Sequence, residues 1–234
     1  KEGWIMECER LPWDYLLRQG RIFFLNRTRW LMGREFDSLV KEGVPFYTNR
    51  GRQSPLKTVK RDTVYTFLKL EGGESVTLRN LAKAVVNYLF PPYVRHGAKA
   101  HLKRLAEADP DTTVRRRDLL ALGLTWDFLD NFNSQDFIHL LRFSDEEKAY
   151  FLNLLKRYGP SILEREPPVL LSTGHGSKGR ECNICIVNLE MTKRVQDSYE
   201  ADPEPENRLV YVELTRAKDG LILLEPKGWR RFPL

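Results

Sequence analysis

Hydrophobic and polar positions alternate along this chain in two different rhythms, and the change between them divides it in three. Arg21 to Asn26 (RIFFLN) is a short apolar run of strand type. Arg27 to Gly43 then carries Trp30, Leu31, Phe36, Leu39 and Val40 at helical spacing, and Gly43 is where a left-handed cap is cheapest. Val44 to Thr48 reads as another strand, closed by the polar stretch Asn49 to Pro55. From about Leu56 to Arg165 strand-like runs vanish and amphipathic segments follow one another: Leu78 to Phe90, Arg115 to Leu122, Trp126 to Phe132, Asp136 to Phe143 and Asp145 to Tyr158. Pro91-Pro92, Asp109-Pro110, Gly123 and Gly159-Pro160 separate them.

After Pro167-Pro168 the strand rhythm returns at Val169 to Thr173, Asn183 to Leu189 and Gly220 to Glu225, runs of the kind buried on both faces. Between the last two, Glu206 to Lys218 reads as a helix with Val210, Leu214 and Ala217 on one side and Arg208, Tyr211 and Thr215 on the other. Asp202-Pro203-Glu-Pro205 supplies its start. The pattern predicts an α/β protein with a mostly parallel sheet flanked by helices and an all-helical inserted subdomain. Its boundaries are 1–55 and 166–234 for the sheet and 56–165 for the insert.

Composition narrows this without changing it. With 41% hydrophobic residues in 234, the chain can bury one substantial core or a core and a satellite, which excludes disorder as the dominant state. No apolar run is long enough to span a bilayer and KEGWIMECER has no secretory hydrophobic region, so a cytoplasmic protein with no membrane partner is expected. Three cysteines give no disulfide framework. Cys182-x-x-Cys185 lacks a second pair or a nearby His, so both read as small apolar residues of a buried strand and no metal site is expected. A formal charge of +6 favours polyanionic partners.

Two stretches carry candidate chemistry. Thr173-Gly-His-Gly-Ser-Lys-Gly-Arg-Glu181 follows a strand and offers exposed backbone N–H groups and a lysine where α/β proteins place ligands. It is not a phosphate loop, since Gly179 follows Lys178 where magnesium would need Ser or Thr, and no G-x-x-x-x-G-K-[ST] occurs in the chain. The second stretch is Glu206-Asn-Arg-Leu-Val-Tyr-Val-Glu-Leu-Thr-Arg-Ala217, whose Arg216 has the permanent charge and forked donors that suit phosphate oxygens.

In their order and spacing these stretches resemble the fifth and sixth motifs of UvrD/Rep-like superfamily 1 DNA helicases, through Thr173, His175, Lys178, Gly179 and Glu181, then the E-x-R-L-x-Y-V-x-x-T-R-A core. Phe23-Phe-Leu-Asn-Arg-Thr-Arg29 with Gly43-Val-Pro-Phe-Tyr47 is similar to the opening of the same domain, and Arg180-Glu-Cys-Asn183 with Met191-Thr-Lys-Arg194 is similar to bacteriophage-type and environmental members. The resemblance implies the C-terminal RecA-like domain of an ATP-dependent helicase moving 3′ to 5′ on single-stranded DNA. It implies Thr173, His175 and Lys178 as DNA-facing, Gly179 and Glu181 as nucleotide-facing, and Arg216 as the catalytic arginine finger. ATP and Mg2+ would be held jointly with an N-terminal RecA-like domain, and this chain alone would not hydrolyse ATP.

Arg27 is open between contact with DNA phosphate and capping of the sheet edge. The insert's basic residues Arg95, His96, Lys99, His101, Lys103 and Arg104, and then Arg115, Arg116 and Arg117, are candidates for duplex DNA or a solvated face. Trp126, Phe128, Phe132, Phe137 and Phe143 read as core, and His139 among apolar neighbours as a packed histidine. Two rival functions are a nucleic-acid-binding or assembly module without motor activity, and a subunit of a recombination helicase-nuclease.

Overall fold

The computed structural model describes residues 3–133 and 135–234. In chain order its elements are β1 (Trp4–Cys8), α1 (Trp13–Leu16), β2 (Ile22–Asn26), α2 (Arg29–Glu42), β3 (Phe46–Thr48), α3 (Val59–Glu71), β4 (Val76–Thr77), α4 (Leu78–Tyr88), α5 (Ala98–Ala108), β5 (Thr113–Val114), α6 (Trp126–Asp130), α7 (Asp145–Tyr158), β6 (Val169–Thr173), β7 (Cys182–Asn188), α8 (Lys193–Ala201), α9 (Glu204–Leu214) and β8 (Ala217–Leu224). The chain divides into a sheet unit, Lys1–Ser54 with Pro167–Leu234, and a helical unit, Pro55–Glu166.

The sheet unit is α/β, with six strands in the order β1-β8-β7-β2-β6-β3, every neighbouring pair parallel. β2 is buried at every position and runs between β6 and β7, with Ile22 opposite both Val169 and Ile184. A strand covered on both faces has no polar side to alternate with, which is why this one reads as a continuous apolar run. β1 is the opposite case. It forms an edge with Ile5 70% exposed, half-buried and exposed positions alternating along it, and it lay hidden in a polar N-terminal stretch.

α2 is bounded by its own side chains. Thr28 Oγ1 accepts the Leu31 N–H at 3.3 Å, and Gly43 ends the helix in the left-handed region at φ 66°. α9 is shorter than its apolar pattern suggests: it ends at Leu214, and Ala217 and Lys218 already belong to β8. Asp202 still serves its start, accepting the Glu204 N–H at 3.1 Å. In β7 a register shift between Cys182 and Ile184 brings Cys182 and Cys185 into the same buried cluster as Phe23 and Val187.

The helical unit is not all-helical, since β4 and β5 form a short antiparallel ladder within it. Arg115 to Leu122 is not an amphipathic helix either. Arg116–Asp118 is a single 3-10 turn, and Asp136–Leu140 is another. The core gathers Phe67 with Phe128, Phe132 and Phe137, ring centroids 5.5 to 5.9 Å apart. Trp126 and His139, both expected inside, are exposed, Trp126 by 65%. Among the described residues no helix is long and apolar enough to cross a membrane.

Candidate functional site

The motif residues are organised by one crossover. β6 ends at Thr173 on the carboxyl edge of the sheet and β7 begins at Cys182 on the amino edge, so the connection Gly174–Glu181 must travel the length of a strand, roughly 20 Å at about 3.3 Å per residue. Its first half lies at the carboxyl ends of β2, β3 and β6. Its second half meets the end of α9 and the start of β8.

Three interactions fix the first half. Asn49, just past β3, donates from Nδ2 to the Gly176 carbonyl at 2.9 Å and accepts the Ser172 hydroxyl at 3.0 Å. Ser177 Oγ donates to the Gly174 carbonyl at 2.8 Å. A Cβ at Gly176 would stand 2.4 Å from Ser172 Oγ, and one at Gly174 would stand 1.9 Å from Glu213 Oε1, so neither position has room for a side chain.

Beside this turn opens a cleft of about 340 Å³ lined by Arg27, Arg29, Asn49, Arg50, Thr173 and His175 among others. Thr28 also lines it and caps the first turn of α2, so the positive end of that helix dipole faces the same space. Among the described residues no hydrogen bond or ion pair engages the side chains of Arg29, Arg50 or His175. Arg27 differs. Its guanidinium grips Glu206 through two contacts, Nη2 to Oε1 at 2.5 Å and Nε to Oε2. Of the two roles open to it, this pairing describes the sheet-edge strut, tying the end of β2 to α9. Hydrogen bonding to Glu206 raises the Arg27 pKa further.

Beneath Arg27 lies Glu213, 2% exposed, with Oε1 making no hydrogen bond. Burial raises its carboxyl pKa to about 7; the Arg27 charge works against the rise and the Glu206 charge adds to it. The cleft therefore stands on a buried polar layer in which burial favours the protonated form of one acid.

At the amino edge the geometry is open. Gly179 is in the left-handed region at φ 76° and exposed. Glu181 pairs with Lys218 at 2.6 Å; that hydrogen bond and charge lower the Glu181 pKa and raise the Lys218 pKa. Arg216, half-buried, donates from Nε to the Val212 carbonyl at 2.8 Å and from Nη1 to the Arg180 carbonyl at 3.3 Å. Its backbone carbonyl accepts the Cys182 N–H at 3.1 Å, so the helix end, the crossover and β7 are stitched together there. Arg216 is thus neither sealed inside the fold nor remote from the glycine-rich turn, and its neighbours are carbonyls that orient it without neutralising it. Lys178 is exposed between the two groups.

The insert's arginines do not converge. Arg116 lies 5.2 Å from the Phe132 ring centroid and donates to Asn133 at 3.1 Å, Arg117 pairs loosely with Asp118 at 3.8 Å, and Arg115 is exposed. Lys99, expected in the basic patch, instead donates to the Val86 and Leu89 carbonyls and closes the end of α4. A larger cavity in the sheet unit, about 800 Å³, opens beside β8, and two of the carboxylates lining it are engaged: Glu35 by Lys227 and Glu225 by Arg231, each at 3.2 Å. Among the described residues no group of three or more His, Cys, Asp or Glu could hold a metal ion.

Arg29, Asn49 and Arg50 went unassigned in the sequence because they sit in a loop and a helix start; only tertiary structure brings them to one cleft. Comparison with protein-family models gives no match, and comparison with curated protein sequences gives none.

Proposed function

We propose that this chain is the C-terminal motor domain of an ATP-dependent, UvrD/Rep-like DNA helicase or translocase. The observation that carries the reading is the two-ended crossover Gly174–Glu181. One end lies in a basic cleft with Thr173 and His175, and the other lies beside Arg216 and Glu181. A loop rigidly joined to both ends can couple events at one to events at the other.

In this reading the cleft takes the phosphates of single-stranded DNA. Arg216 supplies positive charge to the terminal phosphate of ATP, and Gly179 and Glu181 face the nucleotide's sugar. ATP and Mg2+ would be bound jointly with an N-terminal RecA-like domain that brings the phosphate loop and the magnesium ligands. Arg115 and Arg117 would contribute weaker contacts to duplex DNA.

The test is reconstitution with the N-terminal motor domain, in cis or in trans. DNA-stimulated ATP hydrolysis should appear, and Arg216→Ala should lower turnover by about 10³- to 10⁵-fold while ATP affinity changes little. Near-normal turnover in Arg216→Ala removes the finger. Strand binding with no hydrolysis in the reconstituted protein removes the motor and leaves a binding module.

A further inference from the structure

Trp30 is the second residue of α2 and 66% exposed, although a large indole gains more from burial than almost any other side chain. Two other tryptophans are as exposed: Trp126 in the helical unit, at 65%, and Trp229 near the C-terminus, at 76%. What sets Trp30 apart is its company. Arg27, Thr28, Arg29 and Met32, which bracket it in sequence, all line the basic cleft. The Arg34 guanidinium lies 5.8 Å from the indole centroid.

Arg34 is not a loose neighbour. Glu190 holds it through two contacts, one of 2.8 Å from Nη1 to Oε1, and Glu35 adds a third at 3.4 Å. The indole is thereby set against a fixed cation, one residue along α2 from the cleft-lining Arg29, with most of its surface open to water although it does not itself line the cleft. A flat apolar surface close in sequence to the unpaired Arg29, with a held cation at its face, matches a ligand that is itself a flat ring tethered to phosphate.

We infer that Trp30 is a stacking platform for a nucleobase of a single strand whose phosphates lie in the Arg29–Arg50 cleft. The inference rests on the single-strand reading given above and adds to it that the strand is held by a base as well as by its backbone. A duplex hides the faces of its bases, so the platform selects unpaired DNA.

The test compares two ligands of equal length, an oligothymidylate and a strand in which every base is replaced by an abasic site, each titrated against the wild-type chain and three variants. Trp30→Ala should weaken oligothymidylate binding roughly 5- to 150-fold, the loss of one stacked base, and leave abasic binding within about 2-fold. Trp30→Phe should recover most of the loss. Arg29→Ala with Arg50→Ala should weaken both ligands together. The inference is overturned if Trp30→Ala costs nothing on the oligothymidylate, or costs the same on both ligands. If instead the paired arginine variant binds both strands like wild type, the cleft itself is not the strand site and the functional reading falls with the platform.

Discussion

The protein has two clusters of arginine, one at the carboxyl edge of the sheet and one in the 3-10 turn at Arg116–Asp118, and they are built on opposite principles. Arg29 from the start of α2 and Arg50 from the loop after β3 face one space with their charges unspent, beside the Thr28 cap. Arg115, Arg116 and Arg117 are adjacent in sequence yet do not converge: Arg116 is laid on Phe132, Arg117 is 3.8 Å from Asp118 and Arg115 is exposed. The support differs as well. Under the cleft lies a buried polar layer of Asn26, Asn188, Glu206 and Glu213, whereas under the turn lies a cluster of phenylalanine rings. Basic residues bind a polyanion strongly where they converge, and convergence is a property of the fold rather than of the run of letters.

Charge reversal measures that difference directly. Arg29→Glu with Arg50→Glu should weaken single-strand binding about 100-fold, at ~1.5 kcal/mol for each charge-assisted hydrogen bond removed, and flatten the salt dependence by roughly 0.7 per phosphate released. Arg115→Glu with Arg117→Glu should weaken duplex binding only about 3-fold, since dispersed and exposed cations each contribute little in water. Equal losses from the two pairs, read in the same buffer across a salt series, would erase the distinction.

The same contrast explains what could be read in advance. β2, β6 and β7, together with α2 and its Gly43 stop, were legible because long buried runs and a strong cap leave unmistakable patterns. β1 was not, because an edge strand buries only alternate positions, and neither was α8, which buries Val195 alone. Arg115 to Leu122 and Asp136 to Phe143 looked helical because over a single turn a 3-10 repeat and an α repeat place apolar residues almost alike. Of the candidate site, Thr173, His175, Glu181 and Arg216 were singled out through their motifs. Glu213 was not: the helix pattern assigned the apolar face to Val210 and Leu214, and nothing local says that a glutamate beside them is sealed under a glycine turn. Arg29, Asn49 and Arg50 belong to the cleft only through the parallel pairing of β2, β6 and β3.

Because one support is polar and the other aromatic, only the first should respond to pH. The Glu213 carboxyl has a folded pKa of about 7 against an ordinary 4.5, burial being the main cause. The raised value means that the folded form keeps a proton which the unfolded chain releases. This contribution is therefore complete below pH 4.5 and is lost as pH rises through about 7, some 3 kcal/mol in all. Glu213→Gln keeps the shape and removes the titration. Urea unfolding of the sheet unit should become flatter between pH 5 and 7, and the variant should be more stable than wild type at pH 8. Parallel curves for the two proteins across that range would mean that the carboxyl is ionised in the fold or reaches solvent.

The smallest effect separates a helix start beside the proposed strand site from one in the helical unit. Thr28 caps α2 beside the cleft, and Ser144 caps α7 in the helical unit, its hydroxyl accepting the Glu147 N–H at 3.3 Å while Glu147 accepts the Ser144 N–H at 3.1 Å. Either residue changed to Ala loses one hydrogen bond to an orphan N–H and should cost about 1 kcal/mol of stability, a loss that Ser at 28 or Thr at 144 largely restores. The two should part company in binding. Fraying the first turn of α2 loosens Arg29 and Trp30 and blurs the helix dipole at the cleft, so Thr28→Ala should weaken the single strand a few-fold, whereas Ser144→Ala, at equal cost in stability, should leave that affinity where it was. If both caps moved affinity together, the change would follow general destabilisation, and the first turn of α2 would be ordinary scaffold rather than one wall of the strand site.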